Sequence, residues 1–193
     1  MEKFEDINLG NGITLLKNTG GKYKVLFAHL FHGNENCIDV ILNYMIHGYK
    51  DISISFIPMV NSEGTRNNKD GKNINCSFNH PDCKHTNTTT ESEIILSNIE
   101  LIKECSRDGY ASLHSHDGKM NYSHIWMQNE PSEEILKTMR VKDYNLCYNT
   151  LEDYLWHEGI PIGACLEYGQ DEERIEFTNN FLEIIRNESN VLC

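Results

Sequence analysis

Apolar runs alternate with helical periodicities along the chain, and this alternation predicts an α/β domain. The run VLFAHLF at residues 25–31 is typical of a strand that is buried on both faces of a sheet. Five apolar runs predict strands at Ile13–Lys17, Lys24–Phe31, Ile52–Val60, Tyr110–His114 and Ile162–Tyr168. Helical periods are predicted to begin near Glu35, Glu91, Ser132, Leu151 and Asp171.

The helix near Glu91 has the best-defined predicted start. Thr90 precedes Glu93 by three residues, which is the spacing of a capping box with Thr90 as the N-cap. Apolar residues then recur at helical spacing as far as Ile102. Before this helix lies a polar segment, residues 61–90, that is too long for an ordinary connection, and such segments are commonly functional.

The amino-acid composition limits the kinds of molecule that the protein is expected to bind. A length of 193 residues predicts a single domain, 1–193, with a sizeable core. A net charge of -12 disfavours nucleic acid as a partner, because phosphate binding needs clustered cations. The N-terminal residues do not resemble a signal peptide, and no apolar run approaches a membrane span, so we expect a cytoplasmic protein whose 7 cysteines are free thiols.

Polar residues abruptly follow several of the predicted strands, at the sheet edge where ligands bind in α/β proteins. The first such strand runs into His32-Gly33-Asn34-Glu35, and we expect Gly33 to let the backbone turn tightly enough for His32 and Glu35 to face one ion. A third ligand from a neighbouring strand would complete a catalytic zinc site with one open position. Glu167 is a lone carboxylate in the last apolar strand, where it would be costly unless it is paired or functional.

These residues resemble the zinc carboxypeptidases of the carboxypeptidase A type, in an ordered match over about residues 24–168. The matching segments are His32-x-x-Glu35, VNSEGTRNNKDGKNINCSF, the helix start Thr90-Glu91-Ser92-Glu93, SLHSH, and LEDYLWHEGIPIGACLEYG. The resemblance implies a three-layer α/β/α fold with a mostly parallel, mixed central sheet. It also implies a zinc-dependent hydrolase that cleaves an amide bond in a small peptide or peptide-like substrate.

The same resemblance assigns roles to individual residues. His32, Glu35 and His114 would bind zinc, and Glu167 would act as general base and then as proton donor. Arg66 would polarise the scissile carbonyl and stabilise the oxyanion. Asn75 matches the residue that holds the terminal carboxylate of the substrate. The mobile tyrosine of the family falls at Asn145, between Tyr144 and Tyr148, and either of these tyrosines is a candidate.

Two family positions are occupied differently in this chain. Cys76 stands where the family has the arginine that clamps a C-terminal carboxylate, and a thiol cannot supply that cationic fork. Lys72, Arg107 and Arg140 are candidates to replace it. Asn73 stands where the family has the aspartate that orients the first zinc histidine, so the negative charge at that position is missing.

Several alternatives remain open from the sequence. His116 is a rival of His114, because it lies on the same face of an extended strand. A structural zinc site could instead form within one loop, from Cys76, His80, Cys83 and His85. The literal sequence His-Gly-Asn-Glu also resembles aspartoacylase and succinylglutamate desuccinylase, which hydrolyse N-acyl amino acids. A zinc-binding relative without catalytic activity is a further possibility, and the oligomeric state cannot be read from the sequence.

Overall fold

A mixed sheet forms the centre of the protein. The computed structural model describes residues 3–78, 88–115, 123–127, 130–141, 144–146, 148–169 and 173–191. Within these residues the sheet has 8 strands in the order β1-β2-β4-β3-β5-β8-β6-β7. They are β1 (Phe4–Gly10), β2 (Ile13–Asn18), β3 (Tyr23–His29), β4 (Ile52–Ile57), β5 (Gly109–Ser115), β6 (His124–Met127), β7 (Tyr144–Leu146) and β8 (Gly163–Tyr168).

The four central strands are parallel neighbours. β3 pairs in parallel with both β4 and β5, and β5 pairs in parallel with β8. Three pairs are antiparallel, β1 with β2, β2 with β4, and β6 with β8, while β7 runs parallel to β6. The carboxyl ends of β3, β5 and β8 therefore meet at one edge of the sheet, and the residues that follow these strands are brought together there.

Helices cover both faces of the sheet. Six helices lie within the described ranges: α1 (Ile38–His47), α2 (Thr90–Ser97), α3 (Ile99–Cys105), α4 (Glu133–Met139), α5 (Leu151–His157) and α6 (Arg174–Val191). Val25 and Phe27 of β3 pack towards α1 and α6, whereas Leu26 and Ala28 pack towards α2, α3 and α5. This two-sided burial explains the nearly continuous apolar run and confirms the predicted α/β/α architecture.

The helix predicted from Glu91 is shifted and divided. Its N-cap is Thr89, not Thr90, and the capping box joins Thr89 to Ser92. Asn98 ends α2, since its side chain donates to the carbonyl oxygens of Ile94 and of Leu9 in β1. The predicted continuous helix through Ile102 is therefore two helices, α2 and α3.

α1 begins three residues after the predicted position near Glu35. The backbone N–H of Glu35 bonds the carbonyl oxygen of His32 in a turn, at 3.0 Å. The N–H of Cys37 donates to Nε2 of His29 at 2.8 Å, which holds this segment out of the helix. α4 and α5 begin as predicted, with Ser132 and Thr150 as N-caps, and α6 starts at Arg174 while the predicted start near Asp171 lies outside the described residues.

Three strands at the sheet margins were not predicted. β1 is largely exposed, so it lacks the apolar run of a buried strand. β6 has 4 residues and β7 has 3, lengths at which a hydropathy pattern carries little information. Among the described helices none combines the length and the hydropathy that a membrane span requires.

Candidate metal centre and active site

The loop after β3 carries the first two candidate ligands. His32 is 3% exposed and Glu35 is 5% exposed, although both lie in a loop. Gly33 lies in the turn that joins His32 to Glu35, and close packing also requires a glycine there: its N–H bonds the carbonyl oxygen of Thr65 at 2.8 Å, and an added Cβ would lie 2.8 Å from the backbone nitrogen of Gly64.

The third candidate ligand comes from β5. His114 is 1% exposed, and its Nδ1 lies 2.8 Å from Oε2 of Glu35. The rings of His32 and His114 lie edge to face, with their centroids 5.2 Å apart. Ligand atoms of His32, Glu35 and His114 all lie within 4.8 Å of one another, so the structure brings together the three residues that the sequence singled out.

Burial and neighbouring charges set the protonation of this group. Burial and the neighbouring His114 lower the pKa of His32 to about 4, so its imidazole is neutral and has a free lone pair. Burial raises the pKa of Glu35, but its hydrogen bond with His114 and the charges of His114, His32 and Arg66 bring that pKa below the ordinary value. A neutral imidazole beside an ionised carboxylate is the state in which these groups bind a cation.

Glu167 lies next to this group, on β8. Strand pairing places Glu167 opposite His114, so their side chains share one face of the sheet. The thiol of Cys165 lies two residues earlier on the same face and donates to Oε1 of Glu167 at 3.7 Å. His114, Cys165 and Glu167 form a second group whose ligand atoms lie within 4.8 Å of one another. Cys165 was not among the residues predicted from the sequence. The alternation of side chains along a strand could have found it, because it places Cys165 on the same face as Glu167.

A pocket of about 290 Å³ opens beside these residues. Its polar wall includes His32, Arg66, Asn75 and Glu167, all of which the sequence had singled out. Arg66 is largely exposed, and its Nη1 lies 3.3 Å from Oε1 of Glu35. Oδ1 of Asn75 is buried and has no hydrogen-bond partner among the described residues, so it is available to a bound molecule.

The apolar wall of the pocket was mostly missed by sequence reasoning. Trp126 of β6 and Leu146 of β7 line it, and both lie on strands that were not predicted. Of the two candidate tyrosines, Tyr148 lines the pocket and is 63% exposed. Tyr144 instead packs against the hydrophobic core and is not among the lining residues.

The two substituted family positions both lie at the pocket. Burial raises the pKa of the Cys76 thiol, so this position is uncharged. Asn73 does not orient His32: its Oδ1 accepts from the backbone N–H of Asn75 at 3.0 Å, at the start of a short 3₁₀ helix, Ile74–Cys76. Nδ1 of His32 instead lies 3.1 Å from the carbonyl oxygen of Arg66, which can only accept, so Nδ1 donates and Nε2 is left for a metal.

The candidate replacements for the clamping arginine are engaged elsewhere. Lys72 donates to the carbonyl oxygen of Thr88, Arg107 pairs with Asp108, and Arg140 pairs with Glu176. Within the described part of the chain, Arg66 is the only cationic side chain in the pocket wall. Of the alternative ligands, His116, His80, Cys83 and His85 all lie outside the described residues.

Comparison with solved structures reveals the same fold in several other proteins. A candidate metallopeptidase from Shewanella amazonensis is 22% identical, with a TM-score of 0.75, covering 94% of this chain and 87% of its own. A candidate carboxypeptidase from Burkholderia mallei is 15% identical, with a TM-score of 0.67, covering 97% of this chain and 65% of its own. The chain has the zinc carboxypeptidase fold.

An aspartoacylase family protein from Mesorhizobium loti also shares the zinc carboxypeptidase fold. It is 16% identical, with a TM-score of 0.66, and the match covers 93% of this chain and 69% of the other. No protein-family model matches the sequence, and no curated protein matches it either. The likeness therefore lies in the three-dimensional fold, and the chemistry has to be argued from the site itself.

The residues at this edge of the zinc carboxypeptidase fold fit a bound zinc ion. Two imidazoles and a carboxylate are a ligand set of catalytic zinc sites that keep a position open. The three residues are almost fully buried, and their ligand atoms lie within 4.8 Å of one another, which is close enough for a single ion to contact all three.

Proposed function

We propose that this protein is a zinc-dependent hydrolase that cleaves an amide bond in a small peptide or peptide-like substrate. One observation carries the proposal: a buried His32, Glu35 and His114 group lies beside a pocket that is also lined by Glu167 and Arg66. His32, Glu35 and His114 would hold the ion. When bound, zinc supplies Lewis acidity next to the scissile carbonyl.

Glu167 is the proposed general base. Its carboxylate lines the pocket on the face of the sheet that carries His114. From this position it takes a proton from the attacking water and then delivers that proton to the leaving amine. The thiol of Cys165 donates to Oε1 of Glu167 and so helps to orient this carboxylate.

Arg66 is the proposed oxyanion donor. Its guanidinium lines the pocket and lies beside Glu35, so it can donate to the carbonyl oxygen of the substrate as negative charge develops there. Oδ1 of Asn75, which has no hydrogen-bond partner among the described residues, can accept from another part of the substrate, and the exposed side chain of Tyr148 lines the pocket.

The second candidate function is hydrolysis of N-acyl amino acids. The literal His32-Gly33-Asn34-Glu35 sequence and the shared fold of the Mesorhizobium loti aspartoacylase family protein favour it. The two candidate functions use the same residues to cleave an amide bond, and they differ in the substrate that the pocket binds. An uncharged Cys76 favours a substrate whose bound end is not a free carboxylate.

The test compares zinc-loaded wild type with Glu167→Gln on short peptides, their C-terminal amides and N-acyl amino acids. We expect amide hydrolysis by the wild type and a loss of about 10²–10⁴-fold in kcat for Glu167→Gln, with zinc content unchanged. Glu63→Gln is the matched control, since Glu63 is an exposed carboxylate outside the pocket wall. Zinc binding without hydrolysis of any of these substrates would support the non-catalytic alternative instead.

A further inference from the structure

A buried carboxylate lies behind the candidate metal centre and has no role in the chemistry described so far. Glu152 is in the first turn of α5 and is 0% exposed. From the sequence alone, a carboxylate at this position would be a solvated residue favoured by the helix dipole. Burying it instead is costly unless its oxygens are paired.

One oxygen of Glu152 is bonded to the strand that carries His114. The hydroxyl of Ser112 donates to Oε1 of Glu152. Ser112 and His114 are two residues apart in β5, so their side chains lie on the same face of the sheet. α5 packs against both β5 and β8, and this contact brings Glu152 to the side of β5 on which His114 lies.

The other oxygen of Glu152 and one nitrogen of His114 are both without a partner. Oε2 of Glu152 and Nε2 of His114 are buried and make no hydrogen bond within the described residues. Without an ion, Nδ1 of His114 donates to Oε2 of Glu35 at 2.8 Å, and a bound ion would take the place of that proton. Burial lowers the pKa of His114, whereas Glu35, Glu167 and Glu152 raise it, so the charge of Glu152 is close enough to act on this ring.

We propose that Glu152 is a positioning residue of the metal centre, whose Oε2 accepts the Nε2 proton of His114 through one buried water. This pairing fixes the tautomer of His114, because a proton held on Nε2 leaves the lone pair of Nδ1 for the metal. It also satisfies two buried polar atoms at once. The inference rests on the proposed zinc site.

The pairing gives the two histidines different outer partners. Nδ1 of His32 donates to the uncharged carbonyl oxygen of Arg66, because Asn73 is engaged at the 3₁₀ helix. His114 is instead paired with the carboxylate of Glu152. Glu152 therefore supplies a negative charge next to the ligands of the centre, at His114 and not at His32. The ion would be held through opposite nitrogens of the two rings, Nε2 of His32 and Nδ1 of His114.

The first test measures zinc affinity by chelator competition for wild type, Glu152→Gln and Asp153→Asn. The Gln variant keeps the size of the side chain and an oxygen for Ser112, but it removes the charge. We expect its affinity for zinc to fall about 10–100-fold. Asp153→Asn is the matched control: Asp153 is the next residue of α5, is 6% exposed, and accepts from the N–H of Asn149, so its affinity should equal that of wild type.

The second test uses the wild type, so its outcome does not depend on whether a variant folds correctly. Nitrogen NMR of the zinc-loaded protein, labelled at histidine, should locate a slowly exchanging proton on Nε2 of His114 and on Nδ1 of His32. A proton on Nδ1 of His114 would overturn the inference, as would equal zinc affinity in wild type and Glu152→Gln. If the wild type binds no zinc, the proposed function fails and this inference fails with it, whereas equal affinities in the two proteins overturn only the inference.

Discussion

Oε2 of Glu35 lies 2.8 Å from Nδ1 of His114, although the two residues are 79 positions apart in the chain. The parallel pairing of β3 with β5 produces this contact, because it aligns the ends of the two strands at one edge of the sheet. Both side chains are buried, so the contact is shielded from solvent. The relationship joins the two halves of the candidate metal centre.

His114→Ala should abolish zinc binding, because it removes one of the three buried ligands. Elemental analysis of the purified protein should find about one zinc per chain in wild type and close to none in the variant. His47→Ala is the control, since His47 is an exposed residue at the end of α1. Full zinc content in His114→Ala would show that the metal binds outside this group. Cys83→Ala would then test the alternative zinc site in the loop.

Substitution of Arg66 should reduce turnover while zinc stays bound. The contact that holds His32 comes from the backbone carbonyl of Arg66, so Arg66→Ala leaves it in place. Loss of the oxyanion donor should lower kcat by about 10²–10³-fold. Steady-state kinetics on the best substrate measures this change. Lys69→Ala is the control variant, since Lys69 is an exposed cation in the same loop. Unchanged kcat in Arg66→Ala would remove Arg66 from the reaction.

Cys76→Arg should shift specificity towards substrates with a free C-terminal carboxylate. A charge-assisted hydrogen bond is worth about 1.5–3 kcal/mol, which corresponds to roughly a tenfold to hundredfold change. The measurement is the ratio of kcat/KM for a peptide to that for its C-terminal amide. Cys76→Met, a neutral substitution, should leave the ratio unchanged, and an unchanged ratio in Cys76→Arg as well would mean that this position does not contact the end of the substrate.

Thr89 and Thr90 should differ in their effect on stability. The hydroxyl of Thr89 accepts from the N–H of Ser92, so Thr89→Ala should lower the free energy of unfolding by about 1 kcal/mol. Thr90 is exposed and is the first residue of α2, after its N-cap, so Thr90→Ala should be close to neutral. Denaturant unfolding of the two variants measures this difference, and a larger loss in Thr90→Ala would restore Thr90 as the N-cap.

The apolar pattern located the four central strands because both of their faces are buried. Local composition is sufficient there: β3, β4, β5 and β8 are all runs of mostly buried residues. Their bounds differ from the predicted ones by at most three residues, and the largest differences arise because the apolar run continues past the last paired residue of β3 and of β4. A polar residue is buried within β3 because its side chain is bonded: the two ring nitrogens of His29 bond the carbonyl oxygen of Pro58 and the N–H of Cys37.

The sequence by itself determined the fold class and named the histidines and the carboxylate that the structure brings together. Strand hydropathy and residues near a strand end are local features, so they can be read without the fold. That the chain forms a single domain and that zinc is the resident ion remain predictions.

Only the tertiary structure decided which nitrogen of each histidine faces the centre, which tyrosine reaches the pocket, and that Glu152 is buried. Glu152 stands at the start of a helix, where a sequence predicts a solvated carboxylate, and only the packing of α5 against β5 removes it from water. The apolar wall likewise depends on β6 and β7, which are too short for their pattern to be read. Burial and hydrogen-bond partners are properties of contacts between distant segments, and a local pattern does not contain them.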